Sequence, residues 1–296
     1  YRLRHICPFG KAVMMTSTDD GQTYSSPSLV IDTCLDDRDC GIATFGKNGV
    51  IVTSFNNTVN FQRKHALPEE MAHLDSITPE EEARDLGATF RLSYDGGNTF
   101  GPLYKSPITS PHGPIELKDG SVMWLGRTFS CENARMETDA VKAYRVNTEN
   151  GTMEYLGEIE NITVDGNKAL SCEPYAIELE DGTILAHIRV QYYPIKLFTL
   201  YQSKSTDGGK TWTKPKRILE IGTAVGLSSV AMLYGCPTAR LTTMELEEER
   251  YLEAKQVKVS IRHVVVPGIT DEPVQLARLG AFMAGLPNVV SLDVLP

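Results

Sequence analysis

Closely spaced thiols are missing from this chain. Its six cysteines, Cys7, Cys34, Cys40, Cys131, Cys172 and Cys236, form no C-x-x-C pair, which argues against a zinc ribbon or a thioredoxin-type redox site. Their scattered apolar contexts fit reduced core residues of a cytoplasmic protein. Secretion is the alternative, because the chain opens on Tyr1 with no signal-peptide pattern and reads as lacking its start. Basic charge is also short: 29 Lys and Arg stand against 38 Asp and Glu, a net charge of −9. That balance argues against nucleic acid or an anionic membrane as a partner. No apolar run approaches the ~20 residues that span a bilayer, so no membrane insertion is expected. Helical periodicity is nearly absent before residue 218. The exception is the charged stretch 67–86, where Pro68 and Pro79 are placed like helix starts, and it reads as a helical insertion.

What the chain has instead is repetition. Ser17-Thr18-Asp19-Asp20-Gly21-Gln22-Thr23-Tyr24 returns as Ser93-Tyr94-Asp95-Gly96-Gly97-Asn98-Thr99-Phe100, and again as Ser205-Thr206-Asp207-Gly208-Gly209-Lys210-Thr211-Trp212. In this S-x-D-x-G-x-T-aromatic pattern the aspartate can accept backbone N–H groups and the glycine takes a positive φ. Asp19, Asp95 and Asp207 are therefore structural turn residues rather than catalytic acids. A weaker relic is Asn147-Thr148-Glu149-Asn150-Gly151. A second repeat interleaves: Leu117-Lys118-Asp119-Gly120 and Leu179-Glu180-Asp181-Gly182 each precede a β-branched strand, with Lys47-Asn48-Gly49 as a looser copy. Hairpins with D-G turns, then two more strands joined by the aspartate turn, make four short strands per unit. Such units, recurring about every 50–75 residues, are the signature of β-propeller blades.

The stretch 172–189 stands out among these hairpins. Asp181-Gly182 is its turn, and Glu173 and Arg189 lie eight residues to either side of Asp181. Pairing of the strands brings them together at the open end. They are either a cross-strand ion pair or two walls of a site for an anion. Arg127 lies eight residues after Asp119 and so occupies the place of Arg189 one unit earlier. His112 and Asn56 are expected at the same mouth. Arg38 and Asp39 open the strand that leads to the Asn48-Gly49 turn, and Arg38 and Arg127 either line a pocket or form salt bridges between blades. His187 reads as a core residue, and Tyr192 and Tyr193 as aromatic packing. The sequons Asn56-Asn57-Thr58 and Asn161-Ile162-Thr163 match a glycosylation pattern that arises often by chance.

Residues 1 to about 218 resemble the sialidase (neuraminidase) superfamily, whose repeated turns are called Asp boxes. Bacterial exo-sialidases share the spacing of a Glu, an E-L-x-D-G turn and an Arg seen from Glu173 to Arg189. The resemblance implies a mainly β, six-bladed propeller. About three and a half blades are expected here, followed by a short α/β segment over 219–296. It also implies release of terminal sialic acid from sialylated glycans or free sialosides, with retention. Glu173 would be the base for a tyrosine nucleophile, and Arg189, Arg127, Arg38, Asp39 and His112 would contact substrate. A neutral tyrosine suits a sugar bearing a carboxylate on its anomeric carbon, and sialidases are exceptions to the two-carboxylate scheme. Neither a metal nor an organic cofactor is implied. The usual Arg-Ile-Pro is absent at Arg38. The family's acid Asp and that arginine would precede residue 1, and its third arginine and tyrosine would follow residue 218. A fragment, or a junction of two coding segments, is the expectation.

The pattern changes after Arg217. Residues 239–255 and 271–285 read as helices, and Val257–Val266 and Val289–Leu295 as strands, a parallel α/β arrangement. Ile261-Arg262-His263-Val264-Val265-Val266-Pro267-Gly268-Ile269-Thr270-Asp271 and Leu292-Asp293-Val294-Leu295-Pro296 resemble the C-terminal part of pyruvate formate-lyase activating enzymes. Their iron–sulfur cluster needs a C-x-x-x-C-x-x-C run. Cys34 and Cys40, the nearest pair here, have five residues between them. Three functions are thus in play: an exo-sialidase-type hydrolase, a non-catalytic Asp-box propeller binding glycans or proteins, and a relative of the activating enzymes.

Overall fold

A computed structural model describes residues 1–129 and 140–218, together with the backbone of 259–264 and 289–295. The chain divides into two compact units, Tyr1–Lys216 and Arg217–Pro296.

The first unit is mainly β and is built from successive antiparallel sheets, in the manner of propeller blades. A two-stranded ribbon comes first, β1 (Ala12–Met14) with β2 (Ser28–Ile31). The first four-stranded blade runs β3 (Arg38–Phe45), β4 (Gly49–Phe55), β5 (Ala88–Ser93) and β6 (Tyr104–Ser106) in spatial order. Between β4 and β5 lie α1 (Val59–Arg63), a 3₁₀ turn (Pro68–Glu70), α2 (Met71–Ser76) and α3 (Pro79–Asp85). Thr78 caps α3 in a reciprocal capping box with Glu81, and Pro79 occupies the first helical position. The helices begin before the stretch the charge pattern marked, because Thr58 caps α1 through its side chain.

In the second blade the inner strand is split into β7 (Ile108–Thr109) and β8 (Ile115–Glu116), both paired with β9 (Val122–Thr128). Strands β10 (Val141–Val146) and β11 (Met153–Ile159) complete it. After a small ribbon, β12 (Thr163–Val164) and β13 (Asn167–Lys168), the third blade follows in order: β14 (Leu170–Glu178), β15 (Ile184–Tyr192), β16 (Leu197–Ser205) and β17 (Lys216–Ile218).

The Asp boxes recur at one topological place, between the third and fourth strands of a blade: Asp95 joins β5 to β6, and Asp207 joins β16 to β17. Asp19 joins β1 to β2, so that ribbon holds the third and fourth positions of the same plan. In all three boxes the aspartate accepts from the threonine N–H at 2.8–2.9 Å and from its hydroxyl at 2.6 Å. The box serine donates to the aspartate and accepts, at 2.8–2.9 Å, the N–H of the glycine two residues after that aspartate. Those donors hold each carboxyl at about 2. All three aspartates are thus occupied by their own turns.

Apolar faces meet between neighbouring blades. Phe45, Ile51, Phe90 and Leu92 pack with Ile108, Val122 and Trp124, joining blades one and two. Met123, Leu125 and Val141 pack with Ala176, Ile184, Ala186 and Ile188, joining two and three. Polar staples repeat at the rim: Glu116 accepts the Gly46 N–H at 2.7 Å, and Glu178 accepts the Lys118 N–H at 2.6 Å. In both, a carboxylate at the end of an inner strand accepts an N–H from the hairpin turn of the blade before. Close approach demands glycine at Gly41, where a Cβ would lie 2.3 Å from the Gly113 nitrogen.

In the second unit, β18 (Val259–Val264) pairs in parallel with β19 (Val289–Leu295), as the strand expectations for that region require. The expected helices at 239–255 and 271–285 lie outside the described residues, as do Cys131 and Cys236.

Candidate active site

The inner strand of each of the three described blades is interrupted at a corresponding register. In β3, Arg38 pairs with Phe55 and Gly41 with Thr53, so Asp39 and Cys40 stand opposite one residue. In β14, Cys172 pairs with Arg189 and Tyr175 with His187, so Glu173 and Pro174 stand opposite one residue. Each is a one-residue bulge, a device that bends a strand and re-aims a side chain. Pro174 suits it, because proline has no N–H to give to a ladder. In blade two the same place holds the larger interruption between Thr109 and Ile115. Asp39 and Glu173 both lie in the left-handed region, at φ 48° and 49°. Such backbone is rare outside glycine, and it costs energy that the surrounding structure must supply.

These breaks open onto one cavity of about 260 Å³. Its wall carries Arg38 and Asp39 from blade one, Thr109 and Pro111 from blade two, and Cys172 and Glu173 from blade three. The adjacent strand of each blade supplies Phe55, Arg127 and Arg189 at matching register: Phe55 opposite Arg38, Arg127 opposite Thr109 and Arg189 opposite Cys172. Three guanidinium groups and two carboxylates therefore share one concave surface. Such convergence of polar groups in a cleft marks a candidate site.

Arg189 Nη2 lies 2.6 Å from Glu173 Oε1, and about a quarter of each side chain is exposed. Counting from the turn paired these two directly; the bulge instead sets Cys172 opposite Arg189, yet the re-aimed Glu173 still reaches the guanidinium. The Arg189 Nε is buried without a hydrogen-bond partner among the described residues. Burial pushes the Glu173 carboxyl above its ordinary value; Arg189 and Arg127 oppose this, and the charge of Asp39 adds to it. Desolvation outweighs the guanidinium groups.

Asp39 is held from both sides. Arg2 Nη1 lies 2.9 Å from Oδ1, and Arg38 Nη2 lies 3.2 Å from Oδ2. Arg38 is buried, sits over the Phe55 ring at 5.3 Å, and reaches His5 Nε2 at 3.2 Å. Arginine only donates, so the His5 Nε2 accepts in that contact. Beneath Arg38, buried Asp36 takes the Asn57 N–H at 2.8 Å and its amide at 3.2 Å, with Arg38 Nη1 at 3.8 Å. Burial pushes Asp36 up to about 6 and neighbouring Asp37 up to about 7.

Not every expected residue reaches the wall. His112 is not among the residues that line the cavity; its ring packs edge-on against Tyr175 at 5.9 Å, and its Nε2 is buried without a partner among the described residues. Burial, then the charge of Arg189, pushes its pKa down. Asn56 is fully buried, donating to Thr33, Asp37 and the Asp85 carbonyl and accepting from Gly87. With every polar group engaged, it offers nothing to a glycan; its neighbour Asn57 takes the place in the cavity wall. His187 meets Gln202 at 3.0 Å. Tyr193 lines the cavity, and its hydroxyl donates to Gln191 at 2.8 Å. His5 and Phe61, also in the wall, carried no signal in the sequence because they come from the N-terminal segment and α1, outside the blade repeat.

No family model matches the chain. A protein of unknown function from Dyadobacter fermentans superposes with a TM-score of 0.53 at 20% identity, over 72% of this chain and 60% of that one. A Hadza microbial sialidase gives a TM-score of 0.43 at 14% identity, over 69% and 40% of the two chains. A Penicillium chrysogenum α-L-arabinanase gives 0.41 at 12%, over 62% and 49%. Among curated proteins, the pyruvate formate-lyase-activating enzyme of Listeria monocytogenes is 48% identical over 46 residues, 16% of this chain and 18% of that protein. The Escherichia coli K12 pyruvate formate-lyase 1-activating enzyme is 47% identical over 51 residues, 17% and 21%. The chain spans about a fifth of the length of these curated relatives. Among the described residues no group of His, Cys, Asp and Glu is arranged to hold a metal, and Cys7, Cys34, Cys40 and Cys172 are free thiols.

Proposed function

We propose that residues 1–218 form a glycoside hydrolase unit of the exo-sialidase type, which removes a terminal acidic sugar, and that 219–296 form a separate α/β segment. The observation that carries this is the convergence of Arg38, Arg127, Arg189 and Glu173 from three blades on one cavity, with Arg127 and Arg189 at matching register. Three guanidinium groups suit a sugar carboxylate, which a planar fork can bind through both oxygens. The cavity is roomy enough for one monosaccharide ring rather than a long polymer, which fits exo-action. Glu173, its pKa displaced upward by burial, is a stronger base than an exposed carboxylate. In the route implied by the family pattern, the proton it takes comes from a tyrosine hydroxyl.

The test is a screen of the full chain against paired aryl glycosides: an α-sialoside and its carboxamide, with neutral arabinoside and glucoside controls. Release from the sialoside, with at least tenfold preference over the carboxamide, is expected. Equal release from acid and amide, or release from the neutral glycosides alone, would overturn the acidic-sugar reading.

A further inference from the structure

The bulges in β3 and β14 place Asp39 and Glu173 at φ near 49°. Such backbone persists only where its surroundings hold it, and one short segment of blade two meets both bulges. Between β7 and β8, Ser110-Pro111-His112-Gly113 forms a tight turn, closed by the Gly113 N–H on the Ser110 carbonyl at 3.3 Å. Proline second and glycine fourth are the residues such a turn prefers. On one side Gly113 meets blade one. A Cβ on Gly41, the residue after the Asp39-Cys40 bulge, would lie 2.3 Å from the Gly113 nitrogen. On the other side the turn meets blade three. Ser110 Oγ donates to the Pro174 carbonyl at 2.7 Å, and the His112 ring packs against Tyr175, the first residue past that bulge.

Resting on the hydrolase reading of Glu173, we propose that Ser110 is a positioning residue: through the Pro174 carbonyl, its hydroxyl holds the bulge that aims the Glu173 carboxylate into the cavity. Ser110 is buried behind the wall, whereas its neighbours Thr109 and Pro111 line the cavity. Its hydroxyl also accepts the His112 N–H at 3.4 Å, so both of its hydrogen-bonding directions are set. The bond to the Pro174 carbonyl fixes the peptide plane that follows Pro174, and the proline ring fixes φ before it. The chain therefore leaves Glu173 along one path. Without the hydroxyl the Pro174 carbonyl loses a donor, and the bulge relaxes toward regular strand, which turns Glu173 away from the cavity. Burial is what chiefly raises the Glu173 pKa; Arg189 and Arg127 oppose it and Asp39 adds to it. A Glu173 released toward solvent returns downward to the ordinary carboxylate range.

The experiment compares wild type, Ser110→Ala, Ser110→Cys and Glu173→Gln as full chains. The Glu173 carboxyl is titrated by carbon-detected NMR, its signal assigned by its loss in Glu173→Gln. Turnover of an aryl α-sialoside and Tm are measured beside it. Ser110→Ala should lower the Glu173 pKa and cut kcat about 10–100-fold with KM within about threefold, as expected for a misaimed base. Ser110→Cys, near in size but a weaker donor, should fall between; if Ser110→Ala does not fold, the cysteine variant carries the comparison. In the Glu173→Gln background Ser110→Ala should cause no further loss, because it acts through that residue. A lowered Tm with Glu173 pKa and kcat unchanged would overturn the role, as would an undiminished kcat loss in the Glu173→Gln background. A wild type that turns over no glycoside of an acidic sugar rejects the hydrolase reading. In that case the titration alone decides: a Glu173 pKa that falls in Ser110→Ala upholds the aiming role, and one that stays rejects it too.

Discussion

Arg189→Met keeps most of the aliphatic stem and deletes the charge, so it separates the two roles this arginine holds. The first is the 2.6 Å pair with Glu173, in which each side chain is about three-quarters buried. Exposed pairs contribute about 0–1 kcal/mol, and breaking a buried one costs about 3–5. This geometry lies between, and Glu173 can take up a proton once its partner is gone, so a loss of about 2 kcal/mol is expected. In a unit of this size that lowers Tm by roughly 4–8 °C. The second role is the substrate carboxylate, where a charge-assisted hydrogen bond of about 1.5–3 kcal/mol corresponds to roughly 10–100-fold in affinity. Glu173 moves further upward, since Arg189 is the first group that opposes its burial; the limb of the pH–rate profile that requires ionised Glu173 shifts to higher pH. Isothermal calorimetry of a free acidic sugar and its carboxamide reads the second role. The acid should lose about 10–100-fold and the amide less than threefold. Equal losses for both, or none for the acid, would refute the carboxylate role of Arg189 and leave only the ion pair.

Other outcomes follow from the same geometry. Asp36 and Asp37, raised to about 6 and about 7, favour the fold while protonated; that stability is full below about 3.8 and is lost as pH rises through 6–7. The Asp boxes, lowered to about 2, act oppositely and lose their contribution as pH falls from about 3.8 to 2. Thermal melts should therefore show greatest stability near pH 4 and a decline toward pH 7, and Asp37→Asn should flatten that decline; a Tm that climbs from pH 5 to 8 contradicts the burial argument. Gly41→Ala forces a Cβ to 2.3 Å from the Gly113 nitrogen, so a loss of about 2–3 kcal/mol is expected from overpacking between blades, measured by urea melts, and a change under 0.5 would sink the claim of close approach. Glu116→Gln and Glu178→Gln should each cost about 1 kcal/mol, as a charged acceptor becomes a neutral one at a backbone N–H; no change in either would show that the rim staples are incidental.

The blade plan was legible because it rests on local chemistry. Ser93, Asp95, Gly97 and Thr99 make a turn whose hydrogen bonds close within five residues, so the sequence pattern and the structure are nearly the same statement. The D-G turns fixed the pairing of Tyr175 with His187 and of Glu178 with Ile184. Above Tyr175 the count fails by one, since the bulge is a tertiary feature, although the Glu173-Pro174 step was a sign that the ladder is broken there. The repeat also located Arg127 correctly relative to Arg189. What it could not locate were partners from outside the repeat, Arg2 and His5 on the N-terminal segment and Phe61 on α1, which reach the cavity only through folding. Asn56 and His112 show the opposite failure. Position along the blade suggested the mouth, but buried hydrogen-bond demand claimed Asn56 and ring packing claimed His112.

The central claim is that Glu173, aimed by its bulge into a cavity shared by three blades, moves the proton in glycoside hydrolysis. Its most direct test is the turnover number of Glu173→Gln on an aryl α-sialoside, beside wild type and with Tm recorded for both. A fall of about a thousandfold or more, with KM within a few-fold and Tm lowered by no more than the roughly 4–8 °C that losing the Arg189 pair would cost, is the result expected. Turnover equal to wild type in a folded Glu173→Gln protein would contradict it.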